Sequence, residues 1–243
     1  MDFVEHLDAL RLDGAALEAA AREAGVDAPV PTCPGWTVAD LLGHVGRIHR
    51  WVTTLVRERA ADPPAFWNEV EAPPPAELVD WYAGGWRALA DGLDAAGPDV
   101  EVWSWTPWRT GAFWARRQAH ELAVHRYDAQ VAAGAAPPPV PARQAVDAVD
   151  ELFDLFPHRR RRAAISGNGE KIHLHATDAP GEWLVRLVPD GIEVAREHAK
   201  GDVAARGAAS DLLLLLFGRV APTRLDVFGD VSLLDRWQRD AGW

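Results

Sequence analysis

A short proline-rich segment divides this sequence into two parts whose hydrophobic patterns differ. The segment, residues 133–141, reads Ala-Gly-Ala-Ala-Pro-Pro-Pro-Val-Pro and has the composition of a linker. Before it, apolar residues recur at the spacing of amphipathic helices, whereas after it short apolar runs alternate with turn signals. We therefore predict an α+β protein, with a four-helix bundle over residues 1–135 and a small α+β domain over residues 142–243.

The first part contains four stretches with helical periodicity. They span about residues 3–24, 38–60, 76–93 and 111–133. The second stretch follows Thr37-Val38-Ala39-Asp40, a capping box that satisfies the free amides of a helix start. Long helices joined by loops are typical of an antiparallel bundle, in which metal sites are assembled from side chains on facing helices.

The second part mixes helices with strands. Helices are expected over about residues 141–156, 210–219 and 231–239, and strands over about residues 171–176, 183–188, 192–197 and 225–228. The pair Asp190-Gly191 is a strong hairpin signal between two of the strands. Ser210 is expected to cap the helix that contains Leu212–Leu216, a run of leucines that indicates a helix buried on most sides.

Composition limits the partners of the chain. With 243 residues, 48% of them apolar, it can form a packed core. The formal net charge of −11 and the pI near 5.2 argue against a nucleic-acid or anionic-membrane surface. The basic run Arg159–Arg162 is short and typical of a solvated linker or helix end. We expect a monomer or homodimer with small-molecule partners.

The N-terminus and the cysteine content indicate a cytoplasmic protein. Residues 1–5 lack the basic and apolar segments of a signal peptide, and no apolar run approaches the ~20 residues that span a bilayer. Cys33 is the only cysteine, which excludes an internal disulfide and a cysteine-cluster zinc site. In its proline-flanked turn, Cys33 is interpreted as a small buried thiol rather than a nucleophile.

Three residues of the helical part are candidate metal ligands. Glu121 and His125 lie one turn apart on the fourth helix, within a polar stripe that also contains Arg117, Gln118 and Asp128. By itself, such a pair is more typical of a solvated helix face, and a third ligand is needed. His44 lies at the edge of the apolar stripe of the second helix, a position more typical of a hydrogen-bonded core residue. In a bundle, however, His44 can meet the other two.

Two further histidines, His173 and His175, alternate onto one face of a predicted strand. The sequence offers no obvious third partner for them. We therefore interpret this pair as structural.

Two separated motifs resemble those of a known family. The first is Val30-Pro-Thr-Cys-Pro-Gly-Trp-Thr-Val-Ala-Asp-Leu-Leu-Gly-His-Val-Gly-Arg-Ile-His49, and the second is Glu121-Leu-Ala-Val-His125-Arg-Tyr-Asp128. Together they resemble the mycothiol-dependent maleylpyruvate isomerase family, a branch of the DinB/YfiT-like metal-binding four-helix bundles. Residues 211–219 and 225–230 look like the C-terminal domain of that family, which has a sterol-carrier-like α+β form.

The resemblance implies a site and its cofactors. The family's metal ligands fall on His44, Glu121 and His125, and Arg219 is the candidate for the family's C-terminal arginine that helps to bind substrate or thiol. Two imidazoles and a carboxylate with open coordination positions are typical of a catalytic zinc site, although nickel, iron or manganese can use the same ligands. Mycothiol is the implied thiol cofactor or co-substrate.

Three functions follow from this interpretation. In the first, a thiolate adds to the cis double bond of an activated enoate, rotation follows and elimination gives the trans isomer. Arg219 or Arg117 neutralises the substrate carboxylates. Asp128 orients a metal ligand or forms a salt bridge. The second is a mycothiol S-transferase that acts on electrophiles or xenobiotics. The third is a non-catalytic small-molecule-binding protein that the metal only stabilises.

Overall fold

The computed structural model describes residues 1–63, 67–158 and 164–241. The chain separates into two compact units, Met1–Pro138 and Pro139–Trp243. The predicted basic run Arg159–Arg162 lies outside the described residues. Within the described part of the chain, no helix combines the length and the apolar character that a membrane crossing requires.

Four long helices form the N-terminal unit. They are α1 (Phe3–Ala24), α2 (Val38–Glu58), α3 (Leu78–Ala96) and α4 (Gly111–Ala132). Helix α1 packs mainly against α4, and α2 packs mainly against α3. Each helix contributes fully buried leucines to the core, for example Leu10, Leu41, Leu89 and Leu122. Burial of such side chains, worth ~1.5–3 kcal/mol each, holds the amphipathic helices together.

The predicted capping box at the start of α2 is confirmed. The Thr37 hydroxyl accepts a hydrogen bond from the Asp40 amide at 3.3 Å, and the Asp40 carboxylate accepts one from the Thr37 amide at 2.8 Å. The cap fixes where α2 begins and therefore which of its residues face the core. Leu41, Val45 and Val52 are fully buried, which leaves His44 at the edge of the apolar stripe.

The C-terminal unit combines three helices with one sheet. The helices are α5 (Ala142–Leu155), α6 (Ala209–Leu216) and α7 (Ser232–Asp240). The strands are β1 (Lys171–Ala176), β2 (Glu182–Val188), β3 (Gly191–Ala195), β4 (Val203–Gly207) and β5 (Asp226–Gly229). In the sheet order β3-β2-β1-β4-β5, β1 and β4 are parallel and the other neighbours are antiparallel. The predicted α+β fold class is confirmed.

The two faces of the sheet differ because successive strand residues point to opposite sides. One face carries apolar residues with almost no exposed surface, namely Ile172, Leu174, Val185, Leu187, Val203 and Ala205. Helix α6, whose five leucines are all buried, contacts β1 and β4. The opposite face carries the alternate residues, His173 and His175 among them.

Two details of the C-terminal unit differ from the sequence prediction. Strand β4 was not predicted, since its sequence Val-Ala-Ala-Arg-Gly contains alanine and glycine, which are depleted in strands. Ser210 was wrongly predicted as a helix cap. Helix α6 begins one residue earlier, the Ala209 amide donates to Asp178 at 2.8 Å, and the buried Ser210 hydroxyl accepts from the Val140 amide at 2.9 Å.

Candidate metal centre

The structure brings His44, Glu121 and His125 together in the N-terminal unit. Glu121 Oε1 lies 3.4 Å from His44 Nε2 and 3.3 Å from His125 Nε2. One donor atom from each residue lies within 4.8 Å of the other two. The three side chains are 23%, 20% and 9% exposed, respectively, so the cluster is largely buried but can be reached from solvent.

Two helices and one turn position these side chains. Glu121 and His125 lie one turn apart on α4, and His44 reaches them from α2, with the His44 and His125 rings packed edge to face at a centroid distance of 5.4 Å. Trp36, which precedes α2, lies 5.2 Å from the His44 ring and stacks on the His125 ring at 6.5 Å. The indole limits the rotation of both imidazoles.

Asp128 contacts the His125 ring. Its side chain has no exposed surface, and its Oδ2 lies 2.9 Å from His125 Nδ1. The same carboxylate accepts hydrogen bonds from the Thr32 hydroxyl at 2.6 Å and from Cys33 Sγ at 3.4 Å. A carboxylate that accepts the Nδ1 proton leaves the lone pair of a neutral imidazole on Nε2, the nitrogen that faces Glu121.

Arg117 sets the charge of Glu121. Its guanidinium donates to Glu121 Oε2 at 2.5 Å, whereas the other oxygen, Oε1, faces the two imidazoles. Burial by itself raises the pKa of Glu121, but the charge of Arg117 and the hydrogen bonds from the two histidines outweigh burial and hold the pKa well below 4.5. Glu121 is therefore ionised, with Oε2 held by Arg117 and Oε1 facing the two imidazoles.

His125 has a high affinity for a positive charge. Burial lowers its pKa, but hydrogen bonds to Asp128 and Glu121 together with their negative charges raise it to about 9. An imidazole between two carboxylates attracts a proton or a metal cation, and one displaces the other.

The last of the six predicted site residues, Arg219, lies in the C-terminal unit. Arg219 follows α6, and its guanidinium donates to the Phe217 carbonyl at 2.7 Å. The contacts of Thr32, Cys33 and Trp36 with the site residues were missed from the sequence. The only signal for them was the turn that contains Pro31 and Pro34, which brings these side chains beside α4 from about 95 residues away.

The donor set fits a divalent metal. Two imidazole nitrogens and one ionised carboxylate oxygen converge, and each is held by a further contact, to Asp128, Trp36 or Arg117. Three protein ligands leave coordination positions for water or substrate, as in catalytic zinc sites. Asp128 supplies the carboxylate–histidine contact that supports many such ligands.

Comparisons with known proteins identify both parts of the chain. Residues 7–130 match the model of the mycothiol maleylpyruvate isomerase N-terminal domain, and residues 143–236 match the model of the C-terminal domain of the same family. No curated protein sequence gives a significant match.

Solved structures show the same fold. A crystal structure of the mycothiol-dependent maleylpyruvate isomerase is 15% identical with a TM-score of 0.62, and the match covers 90% of each chain. A crystal structure of a histidine-to-alanine mutant of that isomerase is 14% identical with a TM-score of 0.64, and the match covers 93% of each chain. The two domain models together span most of the sequence, and the chain therefore belongs to the mycothiol maleylpyruvate isomerase family.

Proposed function

We propose that this protein is a divalent-metal-dependent isomerase that uses mycothiol to convert a cis enoate such as maleylpyruvate to its trans isomer. The observation that carries the proposal is the convergence of His44, Glu121 and His125 on one point in a member of this family. A buried structural triad would not need an open coordination position or partial exposure.

The proposed metal is zinc, held by those three residues. When bound, the metal favours the deprotonated form of an added thiol, a nucleophile that can add reversibly to the activated double bond. The negative charge of Glu121 and the fixed orientation of His125 keep the donor atoms aimed at one point before any ligand arrives. This arrangement lowers the reorganisation that binding requires.

Other residues of the chain have separate roles in this proposal. Asp128 holds the His125 ring through Nδ1, and Arg117 holds Glu121 through Oε2. Arg219 or Arg117 would neutralise the substrate carboxylates, since guanidinium groups match carboxylates in geometry. Substitution of Arg219 would therefore impair the isomerisation of a dicarboxylate more than the transfer of a thiol to an uncharged electrophile.

The thiol must come from a separate molecule. Cys33 is the only cysteine of the chain, and its Sγ donates to Asp128 rather than to the open side of the cluster. A low-molecular-weight thiol such as mycothiol stays reduced in the cytoplasm, where we propose that the protein acts.

The test is a turnover assay on the purified protein with maleylpyruvate, with and without mycothiol, and with a generic electrophile in parallel. We expect mycothiol-dependent isomerisation that His44→Ala and Glu121→Gln both abolish. The control Glu23→Gln removes a glutamate from an exposed position of α1 and should leave turnover unchanged.

Three results would contradict the proposal. Equal turnover without mycothiol would exclude the thiol, and full turnover by the Glu121→Gln protein would exclude the metal ligands. Thiol consumption with the electrophile but no isomerisation of maleylpyruvate would assign the protein as a mycothiol S-transferase.

A further inference from the structure

A second cluster of histidines lies in the C-terminal unit. His173 and His175 are two residues apart on β1 and therefore point to the same face of the sheet. The strand register places Glu182 of β2 directly opposite His175. His198, in the loop between β3 and β4, reaches the same place, and one donor atom from each of the four residues lies within 4.8 Å of the others.

One carboxylate oxygen is the centre of this cluster. Glu182 Oε1 accepts a hydrogen bond from His198 Nδ1 at 2.7 Å and another from His175 Nδ1. The same oxygen lies 3.8 Å from His173 Nε2. The rings of His173 and His198 pack edge to face with centroids 5.3 Å apart.

The imidazoles of His175 and His198 donate hydrogen bonds to Glu182, but the imidazole of His173 does not. This side chain is buried, with 7% of the residue exposed, and its Nε2 has no hydrogen-bond partner among the described residues. A buried polar atom without a partner is energetically unfavourable. An ion bound beside Glu182 Oε1 would supply the missing partner.

The electrostatics of the cluster favour a cation. The hydrogen bond from His198 and the second one from His175 outweigh burial and lower the pKa of Glu182, so the carboxylate stays ionised. Burial lowers the pKa of His173 and so favours the neutral imidazole, which has a lone pair for a metal.

We propose that His173, His175, Glu182 and His198 bind a divalent transition metal, preferentially zinc, at a second site that uses none of the residues of the His44 triad. Imidazole-rich sites suit zinc, copper and nickel better than calcium or magnesium. Bonds of ~2.0–2.2 Å in a tetrahedral zinc site place neighbouring donors ~3.3–3.5 Å apart. The distances from Glu182 to His198 and His173, 2.7 and 3.8 Å, lie on either side of that range.

Four protein donors indicate a structural role for this site. A complete tetrahedral shell leaves no position for substrate, in contrast to the three-ligand site of the N-terminal unit. His198 is the one ligand outside the sheet, and its side chain is 78% exposed. A bound metal would therefore fasten the loop between β3 and β4 to strands β1 and β2.

The experiment measures zinc uptake by the metal-stripped full-length protein in competition with a chromophoric chelator. Glu182→Gln keeps the shape of the side chain but removes the anionic ligand, and it should lose one equivalent of bound zinc. The control Glu197→Gln makes the same change at an exposed position in the same loop and should bind as much zinc as the wild type. His198→Ala, at an exposed side chain, should behave like Glu182→Gln without disturbing the fold.

A His44→Ala/Glu121→Gln protein distinguishes zinc bound at this site from zinc bound at the N-terminal triad. It should retain the equivalent that Glu182→Gln removes, and the combination of all three substitutions should bind none. Cobalt uptake by this double-substituted protein should give a tetrahedral absorption band that the further substitution Glu182→Gln removes. Unchanged zinc uptake in both Glu182→Gln and His198→Ala would overturn the proposal, whether or not the triad binds metal.

Discussion

At the residue scale, Asp128 shows how a single buried carboxylate can organise a site. It has no exposed surface and accepts hydrogen bonds from His125, Thr32 and Cys33. The contact with His125 is compatible with both roles that the sequence leaves open for Asp128, orienting a metal ligand and forming a salt bridge with a neighbour. We infer that Asp128 is a positioning residue that acts through His125.

Asp128→Asn should weaken metal binding while leaving the fold intact. The amide can still accept from His125 Nδ1 but no longer makes the imidazole more basic, and loss of such a partner typically lowers metal affinity ~10–100-fold. A chelator-competition titration measures the change, with Asp91→Asn on the exposed side of α3 as the control. Equal affinities in the Asp128→Asn protein and the wild type would show that the carboxylate does not act on the metal ligand.

His49 makes stability depend on pH. Its ring is fully buried, neither ring nitrogen has a hydrogen-bond partner among the described residues, and burial lowers its pKa from 6.5 to about 3. The unfolded chain binds a proton at His49 below pH 6.5 and the folded chain does not. The stabilisation is therefore complete above pH 6.5 and is lost progressively as the pH falls from 6.5 towards 3.

The size of this effect can be measured against His49→Leu. Acidification from pH 7 to pH 5 should lower the free energy of unfolding of both proteins. At 1.36 kcal/mol per pH unit, the decrease should be ~2 kcal/mol larger for the wild type than for the variant. Urea unfolding at both pH values gives the difference. The same loss in both proteins would mean that His49 is protonated in the folded state.

At the element scale, the close approach of α2 and α3 depends on glycine. A Cβ atom on Gly46 of α2 would lie 2.2 Å from the Trp81 ring, whereas a Cβ atom on Gly84 of α3 would meet nothing within 4 Å. We expect Gly46→Ala to destabilise the protein by ~1–3 kcal/mol through overpacking. Gly84→Ala should stabilise it by ~0.5–1 kcal/mol, because alanine favours the helix. Thermal unfolding distinguishes the two, and shifts of the same sign would contradict this packing.

The elements that the sequence predicts well are those with local signals. The start of α2 follows from Thr37 and Asp40, two residues that form their own hydrogen bonds three positions apart. Strand β4 has no such signal and exists because it pairs with β1 and β5, so only the folded sheet shows it. The cap of α6 comes from Asp178, 31 residues earlier, which no local pattern indicates.

The same distinction applies to the two histidine clusters. Glu121 and His125 could be paired from helical spacing, and resemblance to a family added His44. The partners of His173 and His175 could not be predicted, because His198 approaches them only through the β3–β4 loop and Glu182 only through the strand register. Which residues join the C-terminal cluster depends on long-range strand and loop contacts, and residue type alone does not predict those contacts.

At the scale of the whole molecule, the chain consists of two units, each with its own buried core and its own cluster of imidazoles around one carboxylate. Both carboxylates, Glu121 and Glu182, have lowered pKa values. The clusters differ in the number of donors, three in the N-terminal unit and four in the C-terminal unit. We infer that one unit presents a reactive metal and that the other uses a metal to hold its sheet and loop together.

Metal removal should therefore destabilise the protein in two separable parts. A ligand that binds only the folded state at ~100 times its Kd contributes ~2.7 kcal/mol, so zinc should raise the unfolding temperature of the stripped protein. Glu182→Gln should abolish the part that belongs to the C-terminal unit, and His44→Ala/Glu121→Gln the part that belongs to the N-terminal unit. Scanning calorimetry with and without zinc measures both. A zinc-dependent shift that persists when all three substitutions are combined would place the stabilising metal at other residues.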